Sequence, residues 1–404
     1  MDNHRSLSVK NRIGRRRFLK IGGGSLIGAG LLLGRPPLWP VEEKKANPDP
    51  RIKTNIDEAL KVPRTPVSLP GVFPGKVAEV RDERALIHDR IDSRIVAGMF
   101  AKGMTALTGK KPEESFGLFF EPGDVVGIKV NPVGAGLIST RLEVVDAVIA
   151  WLIDGGIQRK NVVIWDRFDY MLRDAGFTPV RYPGIGIEGL QTMDEIAAEG
   201  KAQDESRWLD ADGRHVSEKN FDPDVYYFAD IDGPKDKAYL NQHVFNGKYS
   251  YFGRLLTRKL TKIVNIPVFK NTGNGISMAT KNIGYGAICN TNRLHKPLFF
   301  DVCTEVLAFP VIRDKLVLNI TDGLKAQYDG GPEPAPRFAL PYNRLFLSTD
   351  PFALDSICHR LLVQMRKEMN VRINEHPRYS DYLLYGQKLG LGIADFEKIE
   401  HVRV

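Results

Sequence analysis

Cysteine is scarce, with Cys289, Cys303 and Cys358 the only three in 404 residues and none in a C-x-x-C arrangement. That spacing provides neither a ferredoxin-type cluster nor a structural zinc site, so no iron–sulfur cluster of the chain's own is expected. Three thiols allow at most one disulfide in an oxidising compartment, and all three read as small buried apolar groups. Also missing are an H-E-x-x-H helix, a Ser/His/Asp order and a closely spaced carboxylate pair, which leaves hydrolytic templates without support. No apolar run reaches the ~18 residues of a membrane-spanning helix, so no stable span is expected.

The body of the chain also lacks net charge. The formal charge is +8, but residues 1–45 hold ten Lys and Arg against Asp2, Glu42 and Glu43. The rest is nearly balanced, at 47 basic and 46 acidic residues. A nucleic-acid-binding surface is therefore not expected.

What residues 1–45 do contain is an export pattern. Arg15-Arg16-Arg17-Phe18-Leu19-Lys20 fits two arginines, any residue, then Phe-Leu-Lys. A Gly-rich apolar stretch, Ile21 to Gly34, and Arg35-Pro36-Pro37 follow. Charged, apolar and breaker regions in that order predict a twin-arginine signal peptide, with Arg15, Arg16, Phe18, Leu19 and Lys20 as its signal residues. The expected partner is the twin-arginine (Tat) translocase, and the expected location is the periplasm or another extracytoplasmic space. Gly14 precedes the pair and no A-x-A site follows, so cleavage and retention as an anchor both stay open.

Past the leader, residues 46–75 are rich in Pro and charge and read as an extended linker. Residues 76–182 carry a strand–helix–strand pattern. Val125 to Val130 reads as a buried strand, Leu142 to Ile153 as a helix stopping at Gly155-Gly156, and Asn161 to Trp165 as a second strand. Such spacing favours parallel pairing through a right-handed crossover. Residues 183–261 are polar and read as an insertion or cap of short strands and loops. Residues 262–404 resume with strands at Lys262 to Val268, Leu316 to Ile320 and Leu345 to Ser348, a helix around Phe299 to Leu307, and a last helix opened by Asp350-Pro351. The fold class is α/β: mainly parallel strands flanked by helices, in one sheet or two lobes, with a polar insertion.

Polar residues gather where the predicted strands end, which is where open α/β sheets bind ligands. The ends are Lys129 and Asn131, Asp166-Arg167, Lys270-Asn271, Asn319 with Asp322, and Asp350. Capping residues also collect at strand ends, so the set carries more weight than any member. Residues 270–286 (KNTGNGISMATKNIGYG) read as a Gly-rich loop able to offer N–H groups to an anion, with Lys270, Lys281, Asn271, Asn274 and Asn282 adding charge and direction. It is neither a Walker loop nor a dinucleotide fingerprint. His295, with Asp166, Asp301 or Asp322, is a candidate general base or metal ligand. The candidate catalytic set is thus His295, Lys281 and Asp322. The candidate ligand-binding set is Lys129, Asn131, Asp166, Lys270, Asn271 and Asn282.

Several of these stretches together resemble the family known as domain of unknown function 362. They are Pro122 to Asn131, Asn161 to Arg167, Val264 to Asn271, Thr280 to Gly286, Asn319 to Gly323 and Asp350 to Asp355. The resemblance covers roughly residues 70–365 and agrees with a twin-arginine leader. It also implies relatives fused to ferredoxin-type modules, for which this chain lacks the cysteines. Two functions follow. One is an exported enzyme or binding protein holding an anionic small molecule or cofactor, metal-linked or not, at the strand ends. The other is a non-catalytic accessory subunit of an exported redox complex, docking on a protein partner through the polar insertion.

Overall fold

The computed structural model describes residues 52–191, 217–232, 247–373 and 379–404. The expected signal residues Arg15, Arg16, Phe18, Leu19 and Lys20 lie outside them.

Strand β1 is Lys76–Arg81, and Leu86–Ile87 and Arg90–Ile91 form a small ribbon, β2 and β3. Next come β4 (Val126–Val130), β5 (Val162–Phe168) and β6 (Gly186–Gln191). A second ribbon pairs β7 (Phe221–Phe228) with β8 (Tyr249–Gly253). The remaining strands are β9 (Lys262–Ile266), β10 (Val268–Thr272), β11 (Gly275–Ile276), β12 (Leu316–Gln327), β13 (Ala339–Ser348) and β14 (Glu400–Arg403). The main sheet runs β14-β1-β13-β12-β9-β4-β5-β6, with β10 and β11 added beside β12. From β12 through β9, β4 and β5 to β6 all pairings are parallel, whereas β13 is antiparallel to both of its neighbours. This is an α/β fold on a mainly parallel mixed sheet. The two α/β stretches of the sequence supply strands to this one sheet.

Helices cover both faces. Helix α1 is Ile56–Lys61, α2 Ser93–Thr108, α3 Leu142–Asp154, α4 Asp169–Asp174, α5 Ala279–Gly286, α6 Pro351–Glu368 and α7 Asp381–Lys388. Local signals set their ends. Asp92 caps α2 by accepting from Arg94 N and Ile95 N, and Gly109 closes it in the left-handed region at φ 73°. Asp350 caps α6 ahead of Pro351, as expected.

Strand alternation divides the sheet into two faces. Ile128 and Val130, Val264 and Ile266, and Leu318 and Ile320 pack on one face with buried residues of α2 and α3. The residues between them, Lys129, Asn265 and Asn319, turn to the other face, under α5. Both faces are covered, so β4 is buried along its whole length.

Four stretches differ from their sequence reading. Within residues 46–75, α1 packs Ile56 and Ala59 into the core, and Leu69 is fully buried. Arg313 holds the segment by donating to Val62 O (3.1 Å) and Pro63 O (2.9 Å), and Arg64 holds it by donating to Leu389 O (2.8 Å) and Gly390 O (2.5 Å). A distant guanidinium satisfies these carbonyls, and nothing near them in sequence announces it. Residues 186–191, read as insertion, form edge strand β6. The run KIVNIPV is two strands split at Pro267, which has no N–H for the ladder. Residues 270–286 are strand, hairpin and helix α5, and Gly284 and Gly286 lie inside that helix.

Candidate functional site

A polar row crosses the sheet at one level. Register pairs Lys129 with Trp165 and Asn265, Asn265 with Asn319, and Asn319 with Ser348. All five are buried. Asn265 Nδ2 donates to Asn319 Oδ1 (2.9 Å) and to Ala279 O at the start of α5 (3.0 Å). Asn282, on the next turn, donates from Nδ2 to Asn265 Oδ1 (2.8 Å). Lys129 Nζ donates to Asn282 Oδ1 (3.0 Å), Asp166 Oδ1 (2.5 Å) and Val130 O (2.8 Å). Burial lowers the pKa of Lys129, while the Asp166 carboxylate works against that shift.

The glycines of 270–286 act through close packing. A Cβ on Gly284 would sit 3.0 Å from Cys303 Cα, and one on Gly286 would sit 2.4 Å from Lys129 Cε. Their missing side chains let α5 lie against residues 302–303 and over the Lys129 stem. Gly273, at φ 54°, is the one member of the set in the left-handed region. The segment therefore presents no row of free N–H groups to an anion.

Lys270 is fully buried and anchors the loop after β4. Its Nζ donates to Asn131 Oδ1 (3.1 Å), Val133 O (3.1 Å) and Ile138 O (3.4 Å). Burial, then repulsion from Lys281, pushes its pKa down to about 7, with a smaller push from Lys129 and opposing pulls from Glu333 and Asp166. Asn131 Nδ2 has no acceptor among the described residues. Asn271 serves the neighbouring loop, accepting from Gly331 N (2.9 Å) and donating to Gly273 O (2.8 Å).

Lys281 differs from the other two lysines. Its Nζ lies over the rings of Tyr285 (5.2 Å) and Phe299 (5.4 Å), and no hydrogen-bond acceptor or carboxylate reaches it among the described residues. Desolvation lowers its pKa, and Lys129 adds repulsion. His295 packs against Tyr285 in a tilted arrangement with ring centroids 4.6 Å apart, and it remains exposed to solvent. Thr291 joins His295 to Arg167: its carbonyl accepts from His295 Nδ1 (3.0 Å), and its hydroxyl accepts from Arg167 Nη1. That bond assigns the Nδ1–H tautomer and leaves Nε2 as an acceptor. Desolvation against the rings, then repulsion from Lys281, pushes the His295 pKa down to about 4. Tyr170 on α4 packs against Phe168, with ring centroids 5.9 Å apart, and its pKa is raised to about 12 by burial and by the carboxylates of Asp174, Glu333 and Asp166.

Lys129, Asn131, Asp166, Lys270, Lys281, Asn282 and His295 are thus gathered at the carboxyl ends of β4, β5 and β10. Asp322 is committed elsewhere. One oxygen accepts from Arg141 N at the head of α3 (2.7 Å) and the other from Leu324 N (3.1 Å), and burial raises its pKa to about 6. His295 therefore has no Asp322 partner. Asn265, Thr291 with its bond to Arg167, and Glu333 carry no local sequence mark of a site. Their only signal is strand register and loop packing. A cavity of about 540 Å³, lined by Asp169, Glu188, Lys219, Asn220, Arg254 and Lys259 among others, lies beside β6 and includes none of the three lysines. Among the described residues no three His, Cys, Asp or Glu side chains assemble as a metal-binding group, and no helix is long and apolar enough to cross a membrane.

Residues 228–360 match the family model for a domain of unknown function, DUF362. The DUF362 stretch contains Lys270, Asn271, Lys281, Asn282, His295 and Asp322, while Lys129, Asn131 and Asp166 reach the site from outside it. A crystal structure of a Thermotoga maritima protein, a structural-genomics target, is similar at a TM-score of 0.36 and 10% identity, over 69% of this chain and 60% of that one. This chain accordingly spans less than two thirds of that protein's length. No curated protein matches.

Proposed function

We propose that this chain binds a small anionic ligand at the carboxyl ends of β4, β5 and β10, with Lys281 as the principal contact. The observation that carries the reading is the inequality among the lysines. Lys129 and Lys270 each spend three donors on three protein acceptors. Lys281 spends none among the described residues. Lys281 is only partly buried against the two rings, so its donors stay open to an incoming anion. Arg167, which like Lys281 repels a proton on His295, adds positive charge to the site, and Asn131 Nδ2 adds a directional donor. His295 Nε2, neutral over the ordinary pH range, suits a protonated oxygen of the ligand, or a proton to be removed from it. We extend the proposal to export by the twin-arginine route on the motif at Arg15 and Arg16, which places the binding step outside the cytoplasm.

Calorimetric titration with phosphate, sulfate, formate and citrate tests the site. Binding is expected in the unaltered protein and should be lost in Lys281→Met, with the urea midpoint little changed because the substitution breaks no hydrogen bond or ion pair among the described residues and methionine can keep the contact with the Tyr285 and Phe299 rings. Failure of all four anions to bind, or undiminished binding by Lys281→Met, overturns the reading.

A further inference from the structure

The loop after β12 is built to hold one acid at the edge of this site. Lys270 and Gln327 are register partners in the parallel pairing of β10 with β12. Gln327 is fully buried, and its side chain is used up on the loop: Nε2 donates to Glu333 O (2.8 Å), and Oε1 accepts from Ala335 N (2.8 Å). On one side Gly331 N is held by Asn271 Oδ1. On the other, Pro334 lies against Gly134, where a Cβ would stand in ordinary contact at 3.5 Å from Pro334 Cβ. Gly134 follows Val133, whose carbonyl accepts from Lys270. The main chain of Glu333 is therefore fixed against the loop that Lys270 anchors. Its side chain is exposed, and its carboxylate makes no hydrogen bond or ion pair among the described residues. Lys270, Lys281 and Tyr170 all nevertheless feel its charge.

We propose that Glu333 is a built-in competitor of the ligand, a negative charge that its anchored main chain keeps at the rim and that sets which anions the site accepts. This rests on the anion-binding reading above and refines it. In the empty site the carboxylate offsets part of the lysine charge, and a bound anion is repelled by it. The repulsion scales with ligand charge, so it falls twice as heavily on a dianion as on a monoanion. The class selected is then the small monoanion, such as a monocarboxylate, over sulfate or a phosphate dianion.

The test compares Glu333→Gln with the unaltered protein, using sulfate and formate as probes. Removing the charge should tighten sulfate by about tenfold and formate by about threefold, the latter being half the same interaction on a logarithmic scale. Lysine side-chain NMR supplies a readout without ligand: the Lys270 and Lys281 titrations should move to lower pH in the variant. Equal affinities in both proteins, or unmoved lysine titrations, overturn the role of Glu333 and leave the anion site standing. Absence of binding by either protein to either anion removes the site itself, and with it this inference.

Discussion

Gly286 and Lys129 meet where helix α5 crosses β4, and the absence of a side chain at Gly286 is what lets the Lys129 stem pass beneath the helix. A Cβ there would also lie 2.9 Å from Nζ. The lysine cannot swing aside cheaply, because three acceptors fix its ammonium and the residue is almost fully buried. Gly286→Ala should therefore cost about 1–3 kcal/mol despite its better helix propensity, as expected for strain in a close-packed core. Urea unfolding measures it, and a neutral or stabilised variant would refute the packing argument.

Lys129→Met deletes the charge and keeps much of the volume, stranding Asp166 Oδ1 and Asn282 Oδ1 inside the protein. A loss of about 3–5 kcal/mol is expected for a buried pair broken on one side. The double variant with Asp166→Asn should recover part of that loss. A double variant no more stable than Lys129→Met would show that the pair is not coupled.

The pH response of Lys270 has a defined sign. Its pKa falls from the ordinary lysine value to about 7 on folding. Below pH 7 both states are protonated and the folded chain bears the whole cost. Above it, the unfolded chain holds a proton that the folded chain has lost, so stability rises with pH up to about 10.5. The slope from this group is at most roughly 1.4 kcal/mol per pH unit. Unfolding at a series of pH values should show this component in the unaltered protein and not in Lys270→Met.

Asp355 is expected to matter through α5. It accepts from Ala279 N (2.9 Å), Thr280 N (2.9 Å) and Thr280 Oγ1 (2.6 Å), and burial raises its pKa to about 6. Asp355→Ala should cost about 2–4 kcal/mol, since three buried donors at the head of α5 would lose their shared acceptor. Amide exchange at Ala279 and Thr280 should accelerate selectively. The raised pKa makes the Asp355 contribution fullest below about pH 4 and diminishing as pH rises through 6, and Asp355→Asn should abolish that slope. A slope of the opposite sign would mean that the main-chain donors outweigh burial.

How much of this was legible depended on the range of each interaction. The α/β pattern and the α6 cap were readable because Asp350-Pro351 and the apolar runs act on adjacent residues. Strand ends pointed to Lys129, Asp166 and Lys270 because ligand-facing positions in open sheets follow from topology. What was not legible travels across the chain. Asn265 looks like an ordinary strand residue until register sets it between Lys129 and Asn319, and Gly284 and Gly286 read as loop glycines until Cys303 and Lys129 are seen against them. Asp322 has the composition of a site residue, but its carboxylate is spent on Arg141 N, an assignment that only the third dimension makes.

The pairing of β1 with β14 imposes a timetable on synthesis. Residues 76–79 wait for residues 400–403 before that flank of β1 is paired. At ordinary ribosomal speed the interval is on the order of tens of seconds. Throughout it, one flank of β1 presents unpaired main-chain groups of the kind that recruit foreign strands. Truncation before residue 400 would leave that flank of β1 without its partner strand.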